Sequence, residues 1–180
     1  MPLQDDALTP EQAEELLPFR QSRLGMLNVF RTIAKAPGAL PRFGQWAAYV
    51  LWHNDLPPRQ RELVILRTGW LCKSGYEWTQ HAQIGLSEGL TPDEIERIKL
   101  GAEAGWAPDD RALIRATDEL HVEQFIGDES WAELGRFFTD KQRMDLVFTV
   151  GNYTLVSMLL NTFGVQLESG QRIDTDLVGF

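Results

Sequence analysis

Residues 58–71 read PRQRELVILRTGWL, and the reading of this stretch decides the fold. Leu63, Val64, Ile65 and Leu66 fall at successive 100° steps around a helix, and Trp70 and Leu71 repeat the pattern, so apolar side chains surround the axis. Such a helix is buried nearly all round and needs other helices to wrap it. Pro57-Pro58-Arg59 supplies its start. The same punctuation recurs at Thr9-Pro10-Glu11, Thr91-Pro92-Asp93 and Ala107-Pro108-Asp109, each ahead of an apolar run at helical spacing. All nine prolines lie at or before Pro108, and the proline-free stretch from Lys141 to Gln166 reads as one long helix. Strand alternation and Asn-Gly hairpin signals are missing. The fold class is therefore all-α, with helices predicted over 10–17, 23–35, 39–54, 58–73, 76–88, 92–101, 109–126, 129–138 and 140–166.

The wider chain fits this frame. Its 180 residues, 43% hydrophobic and 24% charged, suffice for one domain with one sizeable core, without disulfide or structural metal. Seventeen basic against 26 acidic residues give a net charge of -9, which repels phosphate backbones and anionic lipid, so neither nucleic acid nor a membrane is an expected partner. The single cysteine excludes an internal disulfide. The acidic start MPLQDDALTPEQAEELL lacks the basic and apolar parts of a signal peptide, and no run of apolar residues has the length of a membrane span. A cytoplasmic protein is expected. Placing residues 59–61 over 141–143 also aligns 64–66 with 146–148 and Gly69 with Gly151, an echo that duplication or chance reuse of a helix start explains equally. The stretch from Gln171 to Phe180 lacks periodicity and reads as a tail, loose or docked on a neighbouring subunit.

Chemistry concentrates between Pro58 and Leu90. Glu62 lies between the azimuths of Ile65 and Leu66, where a carboxylate loses solvation and becomes a candidate proton carrier; the structural alternative is a tie to Arg59 or Arg61. Glu77 and His81, four apart, share one helix face, and a carboxylate there orients the imidazole and holds up its pKa for acid-base work; the alternative is a solvated surface pair. Gly85, one turn on, is expected to keep that face open for a ligand. Tyr76, at the Ser74-Gly75 break, offers a hydroxyl. Only together do Glu62, Tyr76, Glu77 and His81 make a site.

The stretches RELVILR at 61–67, YEWTQH at 76–81, GLTPDEI at 89–95, RATDELH at 115–121 and FTVGNYTLVSM at 148–158 resemble the carboxymuconolactone decarboxylase family, which includes the AhpD-like alkylhydroperoxidases. The resemblance runs from about Leu56 to Leu167. It implies an AhpD-like all-helical core over 56–167, preceded by a helical extension over 1–55 packed with it and followed by a tail over 168–180, in a homo-oligomer. The family's peroxidase branch carries Glu-x11-Cys-x2-Cys-x3-His, which places Ser74 and Glu77 at the two cysteine positions and His81 at the histidine. Both redox positions are lost while both proton-handling positions remain. Cys72 lies two residues early with no resolving partner, and is more simply a small buried filler. The decarboxylase branch, whose members also place a glutamate four before the histidine, is the nearer one.

The expected function is a non-redox acid-base lyase, without a cofactor, acting on a small cyclic or unsaturated carboxylate or lactone. In it His81 donates a proton to carbon, Glu77 orients the ring, and Glu62 recharges or positions it. Two further readings stay open: a peroxidase-related protein with thiol activity at Cys72, and a non-catalytic oligomeric binding protein. Asp118 and His121 faintly suggest a carboxylate-bridged metal site, but only three histidines exist and no His-Glu-x-x-His occurs; His121 and His53 read more simply as helix-face residues.

Overall fold

Helix starts follow the threonine and proline punctuation. In the computed structural model, which describes residues 2–21 and 26–178, Thr9, Thr91 and Thr139 each complete a capping box with the residue three positions on, and a proline is the first residue of four of the described helices. The helices are α1 (Pro10–Arg20), α2 (Asn28–Ile33), α3 (Ala39–Ala48), α4 (Pro58–Leu71), α5 (Gly75–Ser87), α6 (Pro92–Ile98), α7 (Pro108–Val122), α8 (Asp128–Leu134) and α9 (Asp140–Phe163). No strand occurs among the described residues.

Several expected boundaries move. The helix predicted over 23–35 is the shorter α2, and positions 23–25 lie outside the described residues. The helix predicted over 39–54 leaves α-geometry at Tyr49 for a π-helical turn, Tyr49–His53. Asp145 of α9 holds both ends of that turn: it accepts from the Tyr49 hydroxyl at 2.7 Å and from the Asp55 amide at 2.8 Å. A left-handed Gly164, with φ +56°, stops α9.

Every residue of α4 from Gln60 to Gly69 is buried, because α5, α7 and α9 pack around it. By length and composition α9 could cross a bilayer, but it lies against α4 and α7, with residues such as Leu146, Val150 and Tyr153 in the core. The α4/α9 echo stops where α4 does: Lys73, at φ +53°, turns the chain back into α5, while α9 runs on to Phe163.

The C-terminal segment is not loose as far as Leu177, and it docks on its own chain. Glu168 accepts from the Asn28 amide at 2.8 Å, the Tyr76 hydroxyl at 2.7 Å and the Gln80 amide at 2.5 Å. Lys99 bonds Asp174 and Asp176, each at 2.9 Å, and Leu177 is buried beside Trp78 and Ile98. The last two residues of the expected tail lie outside the described residues.

Candidate active site

The break at Lys73 folds α5 back against α4, and two glycines let the helices approach. A Cβ on Gly69 would sit 3.5 Å from Glu77 Cγ; one on Gly85 would sit 2.9 Å from Leu90 Cδ1 and 3.4 Å from Leu66 Cδ1. Gly85 thus makes room for packing, not for a ligand as its position in the sequence suggested.

That approach brings together Glu62, Glu77 and His81, all buried. His81 Nδ1 lies 2.6 Å from Glu62 Oε2, and Nε2 lies 3.0 Å from Glu77 Oε1. Arg61 Nε donates to Glu62 Oε1 at 3.2 Å, whereas Arg59 is engaged by Asp110 and Glu94. With a carboxylate at each ring nitrogen, both nitrogens donate and the ring is an imidazolium. Burial alone would lower its pKa, but the charge and hydrogen bond of Glu62, and then Glu77, outweigh it and push it up to about 10. The sequence suggested a free His81 acid oriented by Glu77. Instead Glu62 holds Nδ1, and Glu77 takes the Nε2 proton that such an acid would donate.

A cavity of 270 Å³ is bordered by Glu77 and His81, with Glu62 outside its lining. Its walls are mostly apolar, including Phe30, Phe43, Leu51, Ile84 and Val156, and no lysine or arginine is among them. Tyr76 borders the cavity, but its hydroxyl donates to Glu168; burial and that carboxylate hold its pKa well above the usual value. The four-residue site inferred from sequence is thus a three-residue cluster, with the Tyr76 hydroxyl tied to the C-terminal segment.

Tyr153 and Asn152, from α9, border the same cavity. The Tyr153 ring stands edge-on to His81, with centroids 4.9 Å apart. Burial, then Glu77 and Glu62, keep its hydroxyl protonated, and no residue donates to it or accepts from it among the described residues. Asn152 is 5% exposed and its Oδ1 has no partner. Sequence reasoning passed over both; the available signal was a polar pair inside the apolar run of α9.

Cys72 is outside the cavity lining. Its sulfur lies 3.8 Å from His121 Nδ1, and burial raises its pKa against the weaker opposing influence of the Thr154 and Ser157 hydroxyls. Ser74, at the family's first cysteine position, is wholly buried with no partner for its hydroxyl. Asp118 is bound to Arg67 at 2.6 Å and His53 is exposed, so neither joins a cluster with His121. No group of three or more His, Cys, Asp or Glu side chains is placed to hold a metal among the described residues. A larger open groove of 930 Å³ between α1 and α3 carries Glu11, Glu14 and Glu15 but no histidine or cysteine.

Comparison with known proteins bears on the fold. The model of the carboxymuconolactone decarboxylase family matches residues 37–119, which begins inside the expected N-terminal extension and contains the whole Glu62–Glu77–His81 cluster. No curated protein matches the chain significantly by sequence. Among solved structures, an uncharacterized peroxidase-related protein from Ralstonia eutropha, described as an alkylhydroperoxidase AhpD core, superposes with a TM-score of 0.80 at 18% identity, over 94% of this chain and 91% of that one. A peroxidase-related protein from Silicibacter gives a TM-score of 0.79 at 13% identity, over 90% of this chain and 88% of that one. The debrominase Bmp8, as a cysteine-to-alanine variant in complex with 2,3,4-tribromopyrrole, gives 0.77 at 15% identity, over 93% and 90%. At such identities these likenesses concern the fold. Residues 37–119 thus match the model of the carboxymuconolactone decarboxylase family, and the chain as a whole has the all-α fold of these AhpD-like structures.

Proposed function

We propose that this protein is a non-redox acid-base enzyme that decarboxylates a small cyclic or unsaturated carboxylate or lactone. The observation that carries the reading is the imidazolium of His81 held between two buried carboxylates, one of which borders an apolar cavity. Apolar walls without lysine or arginine, beside a His81 charge already neutralised by Glu62 and Glu77, weaken solvation of a substrate carboxylate and favour its departure as carbon dioxide. Breaking that carbon–carbon bond leaves an electron pair, which delocalises onto the substrate carbonyl as an enolate. The proton on Nε2 is one hydrogen bond from Glu77, so Glu77 accepts it and passes it to the carbanionic carbon. Glu62 holds the ring in place at Nδ1, and water replaces the proton once product leaves. The balance is one carboxylate and one proton in, one protonated carbon and one carbon dioxide out. Redox chemistry has no support, because Cys72 is a lone thiol with a raised pKa outside the cavity.

The test is a screen of small unsaturated lactone carboxylates for carbon dioxide release, beside a thermal-shift screen of the same compounds. Release that falls on the order of 10²-fold or more in Glu77→Gln and His81→Gln is the expected result. Compounds that shift the melting temperature without releasing carbon dioxide, equally in wild type and His81→Gln, would establish a binding protein instead.

A further inference from the structure

The mechanism above leaves the new oxygen charge unattended. Glu77 cannot hold it, because a carboxylate repels an enolate, and the cavity lining contains no lysine or arginine. His81 borders the cavity as a cation, but Glu62 and Glu77 occupy both of its N–H groups, so neutral donors are the remaining means. Asn152 and Tyr153 are adjacent on α9, both border the cavity, and neither has its polar group satisfied by the protein. A buried amide without a partner is unfavourable in the empty protein and favourable once a ligand fills it. Rotation of the Asn152 amide presents its NH₂ as readily as its oxygen.

We infer that Asn152 and Tyr153 form the polar recognition end of the cavity and donate hydrogen bonds to the substrate's carbonyl oxygen as it becomes an enolate. This rests on the acid-base reading and adds the orientation of the substrate within it. The oxygen turns towards α9, away from Glu77, which leaves the reacting carbon on the Glu77 side. The two donors strengthen as charge develops, which is when stabilisation accelerates the reaction. The selected ligand is a small ring whose one strong acceptor is a carbonyl or enolate oxygen, with apolar edges elsewhere.

Tetronate, the ring-stabilised enolate of a five-membered lactone, and uncharged γ-butyrolactone separate this role from simple packing. Binding is followed by tryptophan fluorescence in wild type, Tyr153→Phe, Asn152→Ala and the near-isosteric Asn152→Asp, each first shown by thermal unfolding to be folded. Tyr153→Phe and Asn152→Ala should each weaken tetronate by about tenfold or more, since hydrogen bonds to a charged oxygen are the strong ones, and weaken γ-butyrolactone by less than about threefold. Asn152→Asp should abolish tetronate binding and retain γ-butyrolactone. Tetronate affinity unchanged in Tyr153→Phe and Asn152→Ala, or no tetronate binding to the wild type, overturns the assignment. If tetronate binding depends on both side chains while no lactone carboxylate releases carbon dioxide, the lyase reading fails and the assignment stands.

Discussion

An imidazole with a carboxylate on each nitrogen is a cation in neutral water, and that fixes how His81 should respond to pH. Its pKa in the folded chain, about 10, lies above the reference value of 6.5, so folding binds the proton more tightly than the unfolded chain does. The stability this adds is complete below pH 6.5 and is lost as pH rises towards 10. Urea unfolding of the wild type should therefore show stability declining over that window, and His81→Gln should lack the His81 part of the slope. Proton NMR of the ring should find it still charged at pH 8. His81→Gln also leaves Glu62 and Glu77 without the cation between them, a loss of about 3–5 kcal/mol by analogy with other broken buried pairs. Cys72 makes the opposite case. It faces His121 and lies outside the cavity lining, so Cys72→Ser should leave substrate turnover within about twofold and no dithiol-dependent hydroperoxide turnover should be measurable in either form.

Element by element, the sequence exposed the helices better than their contacts. The all-round apolar pattern of 63–66 announced the central helix, and threonine and proline spacing announced the starts of α1, α4, α6 and α7, because caps and prolines are local physics. The i,i+4 relation of Glu77 and His81 was legible for the same reason. That Glu62 would take the other ring nitrogen depended on the α4–α5 crossing, and the roles of Asn152 and Tyr153 on α9, far along the chain, so neither follows from local spacing. Tyr76 went astray through Glu168, a tertiary partner in a stretch with no periodicity to read. Gly85 looked like space for a ligand because a missing side chain does not say what fills the gap; Leu90 and Leu66 do. Gly85→Ala tests that difference. Alanine favours a helix interior by up to about 1 kcal/mol, but overpacking a filled core costs about 1–3 kcal/mol. Since Leu90 is buried and cannot swing clear, the substitution should lower stability in urea unfolding. A net gain would mean that Leu90 yields more freely than the 2.9 Å approach implies.

For the whole molecule the open question is what surrounds it. Trp46, Trp52, Leu155, Met158 and Phe163 are each at least 40% exposed, a load of large apolar side chains that a monomer in water carries at a cost. The net charge of -9 opposes association of identical copies, since each presents the same excess of carboxylates to the next. Apolar burial acts only at contact, whereas the charge repulsion is long-ranged and shrinks as the screening length falls from about 10 Å at 0.1 M salt to about 3 Å at 1 M. The two effects therefore separate by ionic strength. We expect light scattering at micromolar concentration to find a homo-oligomer, and added sodium chloride to strengthen its self-association rather than dissolve it. An assembly that dissociates in salt would instead be held by ion pairs, and a monomer throughout would show that this apolar surface is tolerated without a partner of its own kind.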